Sequence, residues 1–327
     1  MSSSKAKTLP VMATEALYLA IEQRIGRAHL THRLHMQTHW VAHVMGHGRT
    51  RFHIENMLWL HWLIRLSLKT VGLYRRGQRN ALRGTVRRNR MAIPGWPRAF
   101  DGFTILHLSD LHLDLDPKFP EAIARVVAPL EYDICVITGD IRAKTHGPIN
   151  PALQAMELLR PALRGDVYGV LGNHDFIEML PPLEAMGIKM LMNESVVLRR
   201  GTEAVCLAGI DDPHFYETDN IQKAAAHLDH EIPSILLAHS PEIYRKAAAC
   251  GFNLLLCGHT HAGQICLPGG MPVFINARVP LHLVRGAWSY RGMQGYTSAG
   301  VGCSGVDVRF SCRPEVTLHT LTVGRIQ

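Results

Sequence analysis

From residue 100 onward the chain alternates short apolar runs with longer stretches of helical spacing. Thr104–Leu108, Ile134–Thr138, Val167–Leu171, Val205–Ile210, Ile235–Ala238 and Leu254–Cys257 are apolar runs of four to six residues. Runs of that length predict strands buried on both faces. A helical stretch is expected to begin near Pro120, and another near Pro151–Leu163. Strands alternating with helices predict an α/β domain with layered sheets.

Upstream the period changes. Residues 13–47 place Leu17, Ile21, Ile25, Leu30 and Leu34 at helical spacing. His29, His32, His35, His39, His43 and His47 line one stripe of that helix. Imidazoles four apart on a helix can share a metal, but no carboxylate accompanies these, and the stripe reads as a weakly polar, partly exposed face. Met57–Tyr74 is the longest apolar run, interrupted every four residues by His61, Arg65 and Lys69. Those three share one face, and Trp59, Leu60, Leu63, Ile64, Leu66, Val71 and Leu73 cover most of the rest. A spanning helix needs ~20 apolar residues with few charges. This run is too short and too charged for that, and is expected either to lie in an interface or to sit on the catalytic part. Arg75–Arg90 then carries seven arginines and no acid, and reads as a basic arm. IPGWP at 93–97 breaks helix twice. The expected division is a basic helical region over 1–98 and a catalytic domain over 99–327.

Composition sharpens this division. The chain has 327 residues, 47% hydrophobic, with a formal net charge of +8. Residues 1–100 hold 17 Lys and Arg against 3 Asp and Glu, whereas the remainder holds 18 against 24. The basic character therefore belongs to the first third, and such asymmetry predicts contact with an anionic surface, either nucleic acid or membrane. The N-terminal stretch lacks a secretory apolar core. Seven cysteines, with Cys135, Cys206 and Cys257 inside strand-like runs, read as reduced thiols of a cytosolic protein. Cys303 and Cys312 could pair, but nothing in the sequence requires it.

The chemistry lies at the strand ends. Asp110 and His112 follow the first strand, Gly139 and Asp140 the second, and Gly172, Asn173, His174 and Asp175 the third. His239 follows Ile235–Ala238, and Gly258, His259 and His261 follow Leu254–Cys257. In α/β sheets ligands bind outside the carboxyl ends of strands. Strands running side by side would bring these groups together, with the glycines expected to allow sharp turns. Oxygen and imidazole ligands together suit Mn, Fe or Zn better than Ca or Mg. These groups are too many for one tetrahedral ion and fit two ions sharing a carboxylate. Each piece alone is weak: a lone Asp-x-His is common, GD is usually a turn, and GNHD and GHTH can be ordinary loops. Their order, strand context and spacing together carry the inference.

DLH, GD, GNHD, a separate His before SPE, and GHTH, in that order, resemble the calcineurin-like metallophosphoesterase superfamily over about residues 100–320. TGD, VLGNHD, LLAHSPE and CGHTHAGQICLPGG look most like its bacterial YkuE- and YaeI-type branch. The resemblance implies a two-sheet α/β sandwich flanked by helices. It implies one divalent ion on Asp110, His112, Asp140 and His261, and a second on Asp140, Asn173, His239 and His259. It gives His174 the role of proton donor to the leaving oxygen, with Asp175 expected to orient or polarise His174. The reaction implied is in-line attack of an activated water on phosphorus, with no covalent enzyme intermediate. Two features depart from the pattern. IRAKTHGP follows GD where relatives often carry acids, so Arg142, Lys144 or His146 is expected either to contact substrate phosphate or to lie in a solvated loop. Ala262 stands where glycine is more usual.

An amphipathic, Trp-bearing helix beside an arginine-rich stretch has the profile of an interfacial anchor. The expectation is a peripheral hydrolase on the inner, cytoplasmic face of the cell membrane, acting on a lipid-linked phosphoester or pyrophosphate such as UDP-2,3-diacylglucosamine of lipid A synthesis. A nuclease or soluble phosphodiesterase using the basic arm on nucleic acid is the second reading, and a non-catalytic scaffold the third. The loops Asp211–Asn220 and Pro268–Tyr296 are not placed by sequence. His214 could reach the site from the first of them, but reads as structural.

Overall fold

Ile105 and Leu106 are adjacent in sequence, fully buried, and face different cores. The same split recurs at Val136 and Ile137, and at Leu254 and Leu255. Successive side chains of a strand point to opposite faces, so an unbroken apolar run demands cover on both. A computed structural model supplies that cover and describes residues 11–38, 57–226, 228 and 231–324.

Two six-stranded mixed sheets form the centre. The first has the order β1-β12-β2-β3-β4-β5, with β1 Thr85–Pro94, β2 Phe103–Leu108, β3 Ile134–Thr138, β4 Asp166–Val170, β5 Ile188–Met190 and β12 Glu315–Gly324. The second has the order β10-β11-β9-β8-β7-β6, with β6 Glu194–Arg200, β7 Glu203–Gly209, β8 Ser234–Leu237, β9 Leu254–Cys257, β10 Gly286–Tyr290 and β11 Met293–Thr297. Strands β2 to β5 run parallel, as do β7, β8, β9 and β11. Ile105, Val136 and Val170 of the first sheet meet Leu207, Leu237 and Leu256 of the second in the central core. Helices Phe119–Val127 and Asn150–Leu159 cover the outer face of the first sheet, and Ile221–Ala225 and Tyr244–Ala249 that of the second. The six expected strands and both expected helices of this part are present, within a residue or a few at their ends.

The N-terminal third differs from the expectation. Residues 13–47 are not one helix: α1 Val11–Ile25 and α2 Arg27–Thr38 meet at Gly26, whose φ of +92° only glycine adopts freely. Their Ile21, Ile25 and Leu30 join the outer core of the first sheet. His39, His43 and His47 lie outside the described residues. The apolar run forms α3, Leu58–Thr70. Among the described residues no helix is long and apolar enough to cross a membrane.

Arg75–Arg90 is not a free arm. Its first half is α4, Tyr74–Ala81, seated on the 305–310 segment. Tyr74 Oη and Gln78 Nε2 donate to Asp307 at 2.7 and 2.6 Å, and Asn80 Nδ2 donates to Arg309 O at 3.0 Å. Its second half is the start of β1, which pairs with β12 in parallel from Thr85↔Glu315 to Pro94↔Gly324. The first sheet therefore holds residues from both sides of position 98. The seven cysteines are all thiols, Cys303 and Cys312 included.

Candidate metal centre

The carboxyl ends of β2, β3 and β4 in one sheet and of β8 and β9 in the other converge, and all seven expected ligands meet there. Asp110, His112 and His239 are fully buried, and Asp140, Asn173, His259 and His261 nearly so. Three ligand groupings share the space: Asp110, His112 and His261; Asp140, His239 and His259; and His112, Asp140 and His174. Asp140 Oδ2 is central, 3.6 Å from His112 Nε2, 3.3 Å from His239 Nε2 and 3.8 Å from His174 Nε2. Asp110 Oδ1 lies 3.6 Å from His261 Nε2, and Asn173 Oδ1 lies 2.9 Å from His239 Nε2.

The glycines act in two ways. Gly139 turns with φ +86°. Gly258 instead permits close approach, since a Cβ there would stand 1.8 Å from Ser109 Oγ and 2.4 Å from Asp110 Oδ2.

The outward nitrogens decide what the inward ones can do. His112 Nδ1 donates to Arg142 O at 2.8 Å, His239 Nδ1 to Thr138 O at 2.8 Å, and His259 Nε2 to Asn276 O at 2.6 Å. A backbone carbonyl can only accept, so each of these rings carries a proton on its outer nitrogen and, when neutral, turns a lone pair inward. Burial pushes His112 down to about 3, and pushes His259 and His261 well below the ordinary imidazole range. Yet His112 Nε2 and His261 Nε2 face each other at 3.1 Å, as do His239 Nε2 and His259 Nδ1. Burial also disfavours a charged His239, but the carboxylates around it, Asp140 foremost with Asp110 and Asp212, together outweigh burial and hold the ring up to about 10. A buried carboxylate that forces a charge onto an imidazole, among inward lone pairs, is a donor set fitted to cations.

Residues 103–263 match the calcineurin-like phosphoesterase family. The Bacillus subtilis protein described as the uncharacterized metallophosphoesterase YkoQ is 32% identical over 229 residues, 66% of this chain and 83% of that protein. The chain is a calcineurin-like metallophosphoesterase. The uncharacterized metallophosphoesterase YkuE of the same organism is 29% identical over 240 residues, 69% of this chain and 81% of that protein. A Bos taurus transmembrane protein with a metallophosphoesterase domain is 29% identical over 243 residues, and the chain spans only 53% of its length. Members of this family are hydrolases acting on phosphoester bonds.

Two expected site residues of this metallophosphoesterase stand elsewhere. Asp175 does not orient the His174 ring. Its Oδ1 accepts from Ile141 N at 3.0 Å and Arg142 N at 3.1 Å, and its Oδ2 accepts from Gly172 N at 3.0 Å. It fastens two loops to each other. His174 is oriented instead by Ala143 O, which accepts from Nδ1 at 2.7 Å and leaves Nε2 facing Asp140. Arg142 is fully buried, so it is not placed to meet substrate phosphate. Its Nη2 donates to His146 O and Gly147 O, and its guanidinium lies 4.1 Å from the centre of the Phe176 ring.

Sequence reasoning also left residues unassigned. His214 Nδ1 bonds Glu242 Oε2 at 2.7 Å, and its ring lies 4.0 Å from that of His259. Glu242 Oε1 also accepts from Arg278 N at 2.8 Å. The acid of LLAHSPE was the available signal, but its partners are too far away in sequence to pair with it. Arg309, fully buried beside His261 Nδ1 at 3.3 Å, gave no local signal at all.

A cavity of about 570 Å³ opens from the candidate metal centre. Asp140, His174, His259 and His261 form its buried end. Leu60, Ile64 and Leu68 of α3 form one wall, and Ile265, Val273 and Phe274 the other.

Proposed function

We propose that this metallophosphoesterase cleaves a lipid-linked phosphoester or pyrophosphate at an anionic membrane surface, with UDP-2,3-diacylglucosamine as the substrate to test first. The observation that carries the reading is the cavity: one end is lined by metal-ligand candidates and the walls by aliphatic and aromatic side chains. Its volume falls in the range of roughly 300–1,000 Å³ usual for small-molecule sites. A phosphate suits the first end and an acyl chain the walls.

Asp110, His112, Asp140 and His261 would hold one divalent ion, and Asp140, Asn173, His239 and His259 the other, with Mn the first choice and Fe or Zn the alternatives. Such a pair supplies charge neutralisation at phosphorus and a water of lowered pKa. The chain's own residues do the rest. Ala143 O fixes His174 with its Nδ1 proton outward, so the ring holds or gives a proton at Nε2, toward the cavity. That is the place for the acid that serves the leaving oxygen. The apolar walls orient the tail and exclude water beside the reacting phosphate.

The surroundings of the mouth support the membrane part. Leu63, Val273 and Phe274 both line the cavity and reach solvent. Around them Trp59 and Trp62 are 63% and 60% exposed, and Met271 is 67% exposed. Arg75 and Arg76 on α4 are also exposed, and clustered arginines are worth about 1 kcal/mol each at an anionic surface. Nucleic acid would call for a basic, stacking groove rather than aliphatic walls. A scaffold would have no use for the full donor set.

The test is hydrolysis with Mn²⁺, comparing UDP-2,3-diacylglucosamine in mixed micelles with bis-p-nitrophenyl phosphate, and using His174→Ala as control. The reading expects His174-dependent cleavage of the lipid nucleotide in preference to the soluble diester. Cleavage of the diester alone would overturn the lipid assignment and leave the phosphoesterase intact.

A further inference from the structure

Helix α2 lies outside residues 103–263, the part that matches the family, yet it reaches the loop that bears His174. Arg33 is fully buried. Its Nη2 donates to Asp175 O at 3.2 Å, its Nε lies 3.5 Å from Asp211 Oδ2, and its guanidinium sits 3.7 Å over the Tyr216 ring. One turn further along, Gln37 Oε1 accepts from Ile177 N at 2.8 Å, and its Nε2 donates to Glu178 at 2.8 Å. One turn back, His29 Nε2 bonds Asp211 Oδ2 at 2.7 Å. Positions 29, 33 and 37 are four apart and share a face.

That face holds two loops at once. Residues 173–178 carry Asn173 and His174. Residues 211–218 carry His214, whose ring lies against His259. A buried arginine is a poor device for stability, because its partners only partly return the cost of removing it from water. Its use is geometric: a rigid fork fixes several groups in one arrangement. The peptide it holds, at Asp175, immediately follows His174, and the Asp175 carboxylate in turn fixes the backbone at Gly172, Ile141 and Arg142.

We propose that Arg33 is a positioning residue for His174, and that α2 clamps the 173–178 loop against the 211–218 loop, so that the N-terminal helices complete the active site. Arg33 does not touch the reacting atoms. The proposal rests on phosphoester hydrolysis alone and is read with a soluble diester, so it stands or falls apart from the lipid substrate.

The experiment is steady-state hydrolysis of bis-p-nitrophenyl phosphate by the full chain with Mn²⁺, for Arg33→Met, Arg33→Lys and Gln37→Met, with folding checked by circular dichroism. A misplaced general acid lowers kcat and leaves substrate binding largely intact. Displacement by about 1 Å can cost up to about 10²-fold. Arg33→Met is expected to lose about tenfold or more in kcat, with KM changed by less than about twofold. Arg33→Lys should recover part of that loss. Gln37→Met leaves no buried charge unpaired, so it tests the clamp even if Arg33→Met does not fold, and should lower kcat about threefold or more. An unchanged kcat in folded Arg33→Met, or in Gln37→Met if Arg33→Met is unfolded, would overturn the proposal. So would a loss expressed in KM alone.

Discussion

Asp110, His112, Asp140, His259 and His261 all hold φ between +42° and +69°, a left-handed backbone that non-glycine residues rarely adopt. Such positions cost on the order of 1–3 kcal/mol each and persist where the surroundings over-determine them. Here Asp110 N donates to Gly139 O at 3.1 Å and His112 N to Asp140 O at 3.0 Å, so neighbouring strand ends hold one another in that conformation. The turns aim side chains at one point at the expense of local stability. Ala262 shares the conformation at φ +49°, which accounts for glycine being the more natural residue there. His174, which is not among these left-handed positions, lines the cavity and has its outer nitrogen bonded to Ala143 O. His174→Ala is expected to lower kcat about 10²- to 10⁴-fold while both ions stay bound, checked by kinetics together with metal analysis. A second residue-scale prediction concerns acid. Burial would raise Asp211, but the Arg33 charge and the His29 hydrogen bond outweigh it and hold it down to about 2. The unfolded carboxyl titrates near 3.9. The ionised form therefore stabilises the fold by roughly 2–3 kcal/mol above pH ~4, and this is lost as the pH falls toward 2. Asp211→Asn should thus cost more stability at pH 6 than at pH 3, measured by denaturant unfolding.

At the scale of elements, legibility followed distance in sequence. Strands β2, β3, β4, β8 and β9 were plain because each apolar run and its ligands are contiguous. β1 was hidden because TVRRNRMAIP buries only Met91 and Ile93. Its arginines project to solvent from a sheet edge, and an edge strand needs no alternating pattern there. Helix α2 read as an exposed histidine face because the partners of Arg33 and His29 lie 142 and 182 residues away. Asp175 was misread for the opposite reason: it neighbours His174 in sequence but spends its carboxylate on backbone N–H groups. Helix α3 was legible as amphipathic, but not that Leu60, Ile64 and Leu68 would wall a cavity shared with the metal centre. Replacing Trp59 and Trp62 by Ser should therefore sharply reduce flotation with anionic liposomes while leaving hydrolysis of a soluble diester unchanged. Undiminished flotation would remove α3 from the membrane contact.

At the scale of the molecule, two parallel-cored sheets face each other and present their carboxyl ends on one side, as ligand sites in open α/β sheets generally require. The described elements of the N-terminal third pack on this sandwich. β1 extends the first sheet, α1 and α2 cover it, and α3 borders the cavity. Two ions sharing Asp140 are central to the proposed function, and anomalous diffraction from crystals grown with Mn²⁺ tests that directly. The proposed function predicts two peaks roughly 3.5–4 Å apart on either side of Asp140 Oδ2. One should lie among Asp110, His112 and His261, and the other among Asn173, His239 and His259. A single peak, or peaks away from Asp140, would contradict it.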